Sequence, residues 1–183
     1  MTPPSMPFPL SRGRAHEVCG AAAFSFAFGL AARLGGQSLW IRESWETGKI
    51  NPDGIADFID PADLLLCHAD SQREVLAVAE EALRSGAVTL VVMTLSKPLG
   101  LTEGRRLQLA ARDGNAVGLA RIPEGMGSNA AETRWRCDPV FDSRDSTLLK
   151  WELIKNKSGT LGVWYVRWDA ASRRFAMVSP AGK

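Results

Sequence analysis

The feature that most constrains this chain is a change of rhythm after Ile122. Up to that point short apolar runs of strand length alternate with helical periods, and beyond it the helices stop. "AHEVC" (15–19), "SLWIRE" (38–43), "LLLCHA" (64–69), "AVTLVVMTL" (87–95) and "AVGLARI" (116–122) read as strands. "AAAFSFAFGLAARL" (21–34) is too long for a typical strand and apolar all round, which predicts a helix buried on most sides. A second helix is predicted up to Arg84. Asp70 or Ser71 caps it, Ser71 and Glu74 spell a capping box, and Gly86 supplies the left-handed stop. Its core stripe is Val75, Val78, Ala79, Ala82 and Leu83, and "LTEGRRLQLAARDG" (101–114) predicts a further capped helix. Such alternation implies right-handed crossovers onto a mostly parallel sheet with helices on both faces. The uninterrupted apolar run 64–69 is expected as a central strand covered on both sides. "TRWRCD" (133–138), "LKWELIKNK" (149–157), "GVWYVRWD" (162–169) and "RRFAMVS" (173–179) are strands with turns between them, so an antiparallel meander should extend one sheet edge. The expected fold class is α/β.

With 183 residues, 45% of them apolar, one compact domain is expected over 14–183. Four prolines in the first nine positions make 1–13 a flexible, extended tail with Phe8 and Leu10 exposed, and Gly, Pro and Asn make 44–54 a loop. The net charge of +2 argues against a general nucleic-acid or membrane binder. The two parts of the chain differ in sign, with seven basic against eleven acidic residues in 1–95 and fifteen against nine in 96–183. An acidic partner should therefore meet the C-terminal half. Cys19, Cys67 and Cys137 are scattered and odd in number, as suits a reducing cytoplasm. No secretory signal and no membrane-spanning run are expected.

"EVCGAAAFSFAFGLAARLGG" (17–36) has the cadence of a phosphate-binding loop but keeps only its first glycine. No Lys lies between Gly20 and Arg33 to meet a γ-phosphate, and Ser25 is a poor substitute for a metal-binding hydroxyl. His68 beside Asp70 could support acid–base chemistry, but no nucleophile motif accompanies the pair; His16 reads as a hydrogen-bonded strand or loop residue. No His, Cys or carboxylate cluster has metal-ligand spacing. Strand alternation puts Trp151, Leu153, Lys155 and Lys157 on one face, and Glu152, Ile154 and Asn156 on the other. Arg134, Arg136, Arg167, Arg173 and Arg174 interleave with Trp135, Trp164, Tyr165 and Trp168. Either the aromatic rings pack the sheet while the arginines face water, or the mixture binds single-stranded nucleic acid. Arg105 and Arg106 open a helix on its exposed face and are secondary interface candidates.

Specific stretches give this pattern a family resemblance. "DPADLLLCHADSQREVLAVAEEALRSGAVTLVVMTL" resembles the RecA segment leading into the Walker B strand, and "ELIKNKSGTLGVWYVRW" is similar to RecA's "KNK" strand and its successors. Within that superfamily the chain looks like ImuA, through "GRAHEVCG", "LWI", "EGRRLQLAAR", "AAETRWRC" and "LIKNKSGTLGVWYVRW" in shared order over about residues 14–179. The resemblance implies a RecA-like core and a non-catalytic accessory in damage-induced translesion synthesis, acting with an ImuB-like protein, RecA and an error-prone C-family polymerase. It also implies a cytoplasmic location at the nucleoid after damage. It puts Thr94 at the Walker B Asp position, so both halves of the phosphate site are missing and no nucleotide cofactor or metal is expected. Glu43 is then either the remnant of a water-activating glutamate or a solvated loop carboxylate. Lys155 and Lys157 match lysines that reach a neighbouring subunit's nucleotide, and here they are expected on a partner or, weakly, on DNA. The two DNA-binding loops shrink to "SKPLG" (96–100) and "PEGMGSNAAE" (123–132), the latter with glycines for mobility but no Lys or Arg. Competing readings are a SulA-like inhibitor of FtsZ, a divergent ATPase and a single-strand DNA binder.

Overall fold

A computed structural model of the chain describes residues 5–143 and 145–178. Among the described residues nine strands form one mixed sheet in the order β3-β2-β4-β5-β1-β6-β7-β8-β9. The strands are β1 (Arg14–Cys19), β2 (Ser38–Glu43), β3 (Leu64–Ala69), β4 (Leu90–Thr94), β5 (Val117–Arg121), β6 (Thr133–Pro139), β7 (Leu149–Asn156), β8 (Gly162–Asp169) and β9 (Arg174–Val178). The helices are α1 (Ala23–Leu34), α2 (Pro52–Ile55), α3 (Gln72–Ser85) and α4 (Leu101–Gly114). β1 to β6 run parallel, and β6 to β9 form the expected antiparallel ladder. The α/β class and the meander thus match the reading of the sequence, to which Ser179 adds nothing because it lies outside the described residues.

The chain crosses the sheet in one direction from β1 through β2 to β3 and in the opposite direction from β3 through β4 to β5. Right-handed connections therefore put α1 on the face opposite α3 and α4. Alternate strand residues fill the two layers: Trp40, Leu90 and Val92 join the core under α1, while Ile41, Val91 and Met93 join the core under α3 and α4. Aromatic rings fill the α1 layer. Phe26 meets Trp151 at a centroid distance of 4.7 Å and Trp135 at 5.4 Å, contacts worth about 1 kcal/mol each beyond their buried area. Gly29 gives α1 its close approach to the meander, since a Cβ there would lie 2.2 Å from the Phe175 ring. These neighbours explain why α1 is apolar on nearly every side.

Three expectations are corrected. The run 64–69 is an edge strand, because β2 pairs with β4 on its other side; Leu65 and Leu66 are 41% and 49% exposed. An apolar run cannot distinguish a central strand from an unshielded edge. The segment 133–138 joins the parallel sheet at β1 and pairs antiparallel with β7, so the meander extends that edge as expected. Phe8 and Leu10 are not exposed: Leu10 is buried, and the Phe8 ring lies 4.9 Å from Trp151 and 5.4 Å from Phe26. The loop 44–54 ends in a turn of helix, α2, capped by Asn51. At α3 the cap is as expected for Ser71, whose Oγ accepts from the Glu74 amide, but the Glu74 carboxylate takes the Asp70 amide in return. Among the described residues no helix is long and apolar enough to cross a membrane.

Candidate functional site

The carboxyl ends of β1, β2, β4 and β5 surround a cleft of about 560 Å³, where open α/β sheets bind ligands. Glu43, Thr94 and Arg121 line it from β2, β4 and β5, and Gly20 from the turn after β1, with Glu46 and Glu124 from the adjoining loops. Gly20 has φ +96°, and a Cβ there would sit 2.3 Å from the Cys137 carbonyl oxygen, so the turn from β1 to α1 is pressed against β6. That contact occupies two of the turn's donors. The Ala21 amide donates to Asp138 Oδ1 at 2.9 Å, and the Ala22 amide donates to the Cys137 carbonyl at 2.8 Å. N–H groups that a phosphate-binding turn would present to its ligand are here turned onto the chain's own strand.

The rest of the cleft is acidic. Glu43, Glu46 and Glu124 line it beside one lining cation, Arg121, whose Nη1 lies 3.6 Å from Glu46, while Glu124 is paired from outside the lining with Arg136. Glu43 is not a solvated loop carboxylate: it closes β2, is largely buried, and accepts from Ser96 Oγ at 2.6 Å. That hydrogen bond holds its carboxyl below the usual range. Ser96 and Lys97 donate their amides to Gln72 Oε1 at 3.0 and 2.8 Å, which ties the 96–100 segment to α3. Thr94 is half-buried at the end of β4 and lines the same cleft.

The basic residues form a second constellation, and most of them are engaged. Glu17, 1% exposed, accepts from Arg134 Nε and from the Ser128 amide, both at 2.7 Å. Arg134 then donates to the Ser128 carbonyl at 3.0 Å, Lys155 Nζ to the carbonyls of Asn129 and Ala131, and Lys157 Nζ to that of Ala130 at 2.7 Å. Four consecutive carbonyls of the 123–132 segment are thus tied down by cations, so the glycines there do not leave it untethered. Burial, with Lys157 and Arg134 nearby, lowers the Lys155 pKa.

The face assignment of these lysines is corrected. A bulge lets Trp135 pair with Leu153 and Arg134 with Lys155, so Ile154 is the extra residue. Trp151 and Leu153 stay in the aromatic layer, while Lys155 stands with Arg134 on the opposite face. Arg136 pairs with Glu124 at 2.5 Å, Arg167 with Asp145 at 3.2 Å, and Arg106 with Glu80 at 2.7 Å. Arg173 Nη2 donates to the Ala56 carbonyl at 2.8 Å. Arg105 and Arg174 are exposed. Trp135 and Trp164 are buried in the sheet layer, so neither supplies an exposed stacking surface. His68 accepts from Arg42 Nε at 3.0 Å on the exposed edge strand rather than in the sheet centre.

Reasoning from sequence missed Asp138, Glu17 and the ring of Trp45. Glu17 did leave a signal, since a carboxylate within the apolar run "AHEVC" demands a buried partner. Asp138 left none, because its role depends on β6 lying beside β1.

Fold and cleft together define an α/β protein with a mixed nine-stranded sheet and an acidic crevice at the ends of its parallel strands. No protein-family model matches the chain, and no curated protein matches it in sequence.

Proposed function

We propose that this chain is a non-catalytic scaffold with a RecA-like core that serves damage-induced translesion DNA synthesis. The observation that carries the non-catalytic part is the self-occupied turn after β1, where Asp138 and the Cys137 carbonyl take the Ala21 and Ala22 amides. Phosphoryl transfer depends on positioning and electrostatic stabilisation. A turn without Lys, with the Ala21 and Ala22 amides engaged and three carboxylates nearby, offers a triphosphate little of either. The choice of process rests on the resemblance of "EEALRSGAV" and "IKNKSG" to RecA and of the ordered motifs to ImuA. The partners proposed are an ImuB-like protein, RecA and an error-prone C-family polymerase. Because Lys155, Lys157 and Arg134 hold the chain's own carbonyls, the contact surface is sought at the open β3 edge, around Leu65 and Leu66, and at exposed Arg105.

The test is association of the purified chain with each of the three proteins, with and without magnesium ATP. Binding to at least one, unchanged by nucleotide and weakened by Leu66→Lys, is the expected result. Tight magnesium ATP binding, or capture of FtsZ with none of the three partners, would overturn it.

A further inference from the structure

We propose that the cleft between α1, the end of β2 and the 45–55 segment is a binding site for a small planar aromatic molecule carrying one anionic group. This inference goes beyond the scaffold reading and does not depend on it. The cleft holds about 520 Å³, within the usual range for small-molecule pockets. Its floor is apolar, with Phe24, Phe28, Ile50 and Ile55, and Trp45 stands at its side 63% exposed. An indole left this open to water gains by stacking on a flat apolar ligand.

The charge of the lining decides the rest of the ligand. Three cations, Arg42, Lys49 and Arg121, face one carboxylate, Glu46, which leaves a formal excess of two positive charges. The adjoining acidic cleft shares Trp45, Glu46 and Arg121 but adds the carboxylates of Glu43 and Glu124 to its lining and no further cation, Glu124 being paired with Arg136. A monoanion is attracted to the first cleft, while a polyphosphate long enough to reach the second meets the Glu43 carboxylate. Both arginines are held in place before any ligand arrives. The Arg121 guanidinium lies 4.4 Å from the Phe24 ring centroid, and the Phe24 ring is stacked on Trp40, which is stacked in turn on Phe28. Arg42 donates to His68 Nε2 at 3.0 Å and to the Gly48 carbonyl, which uses two of its five N–H groups. Cations fixed beside aromatic faces suit a ligand that is itself aromatic and anionic.

Isothermal titration of the full chain with naphthalene-2-sulfonate, and separately with neutral naphthalene-2-methanol, tests the assignment. The sulfonate should bind saturably and about tenfold more tightly than the alcohol, the ratio expected of one desolvated charge contact. Trp45→Ala, which removes an exposed ring and leaves the core intact, should weaken both probes. Arg121→Gln should erase the preference for the sulfonate, and Lys49→Gln, on the exposed loop, should reduce it even where Arg121→Gln disturbs folding. Arg112→Gln, exposed in the last turn of α4, should change nothing. No saturable binding, equal affinity for the two probes, or indifference to Trp45→Ala would overturn the proposal while leaving the scaffold reading in place. Displacement of the sulfonate by magnesium ATP would overturn both.

Discussion

His16 should make this protein lose stability in mild acid, and the structure supplies the size of the effect. The residue is 2% exposed on β1. Its Nε2 lies 3.1 Å from the Ser11 carbonyl and its Nδ1 2.7 Å from Thr133 Oγ1, which also accepts from Trp135 Nε1 at 3.0 Å. A carbonyl can only accept, so Nε2 carries the proton, and the Thr133 hydroxyl donates to Nδ1. A second proton on Nδ1 would turn that acceptor into a donor facing a hydroxyl already claimed by Trp135. Burial is the larger cause, and with Arg14 nearby it lowers the pKa from 6.5 to about 4. Between those values the unfolded chain binds the proton and the folded chain does not, so stability falls as pH drops through 6.5 and levels off below about 4. The full loss is about 3 kcal/mol, of which about 2 kcal/mol has gone by pH 5. Urea denaturation followed by tryptophan fluorescence at pH 7, 6 and 5 measures it, with His16→Gln as the variant that cannot titrate. The gap in stability between the two proteins should shrink by about 2 kcal/mol from pH 7 to pH 5. A gap that stays constant over that range would refute the reasoning.

Three further outcomes are expected. Arg134→Ala strands Glu17 in the interior and should cost about 3 kcal/mol in urea denaturation, with hydrogen exchange rising at Ser128–Ala131. Gly20→Ala drives a Cβ against the Cys137 carbonyl at a positive φ and should lower the thermal midpoint by about 5 °C or more, the equivalent of about 2 kcal/mol for a chain of this size. Asp138→Ala frees the Ala21 amide and should cost about 1 kcal/mol, with faster exchange at Ala21. That variant should still fail to bind magnesium ATP in titration calorimetry, because the turn has no Lys; recovered binding would show that the carboxylate alone silences it.

What could be read from residues alone was whatever depends on local periodicity. The strand β2 from "SLWIRE", the Ser71 cap of α3, the Gly86 stop and the meander all follow from patterns a few residues long, and the structure reproduces them. The missing Lys of the β1–α1 turn was equally legible, since it is a matter of residue type. Strand order was not, because Leu64–Ala69 is as apolar at an open edge as it would be in the centre. The bulge at Ile154 was also invisible, and one inserted residue moved Lys155 to the other face. The use of the charged groups was decided only in three dimensions. Asp138 reaches the Ala21 amide because β6 pairs with β1, and Lys155 meets Asn129 because a hairpin returns β7 beside that segment. Local pattern is set by neighbours along the chain, whereas a buried donor must take whatever acceptor the packed sheet brings within about 3 Å, and only the folded chain determines which that is.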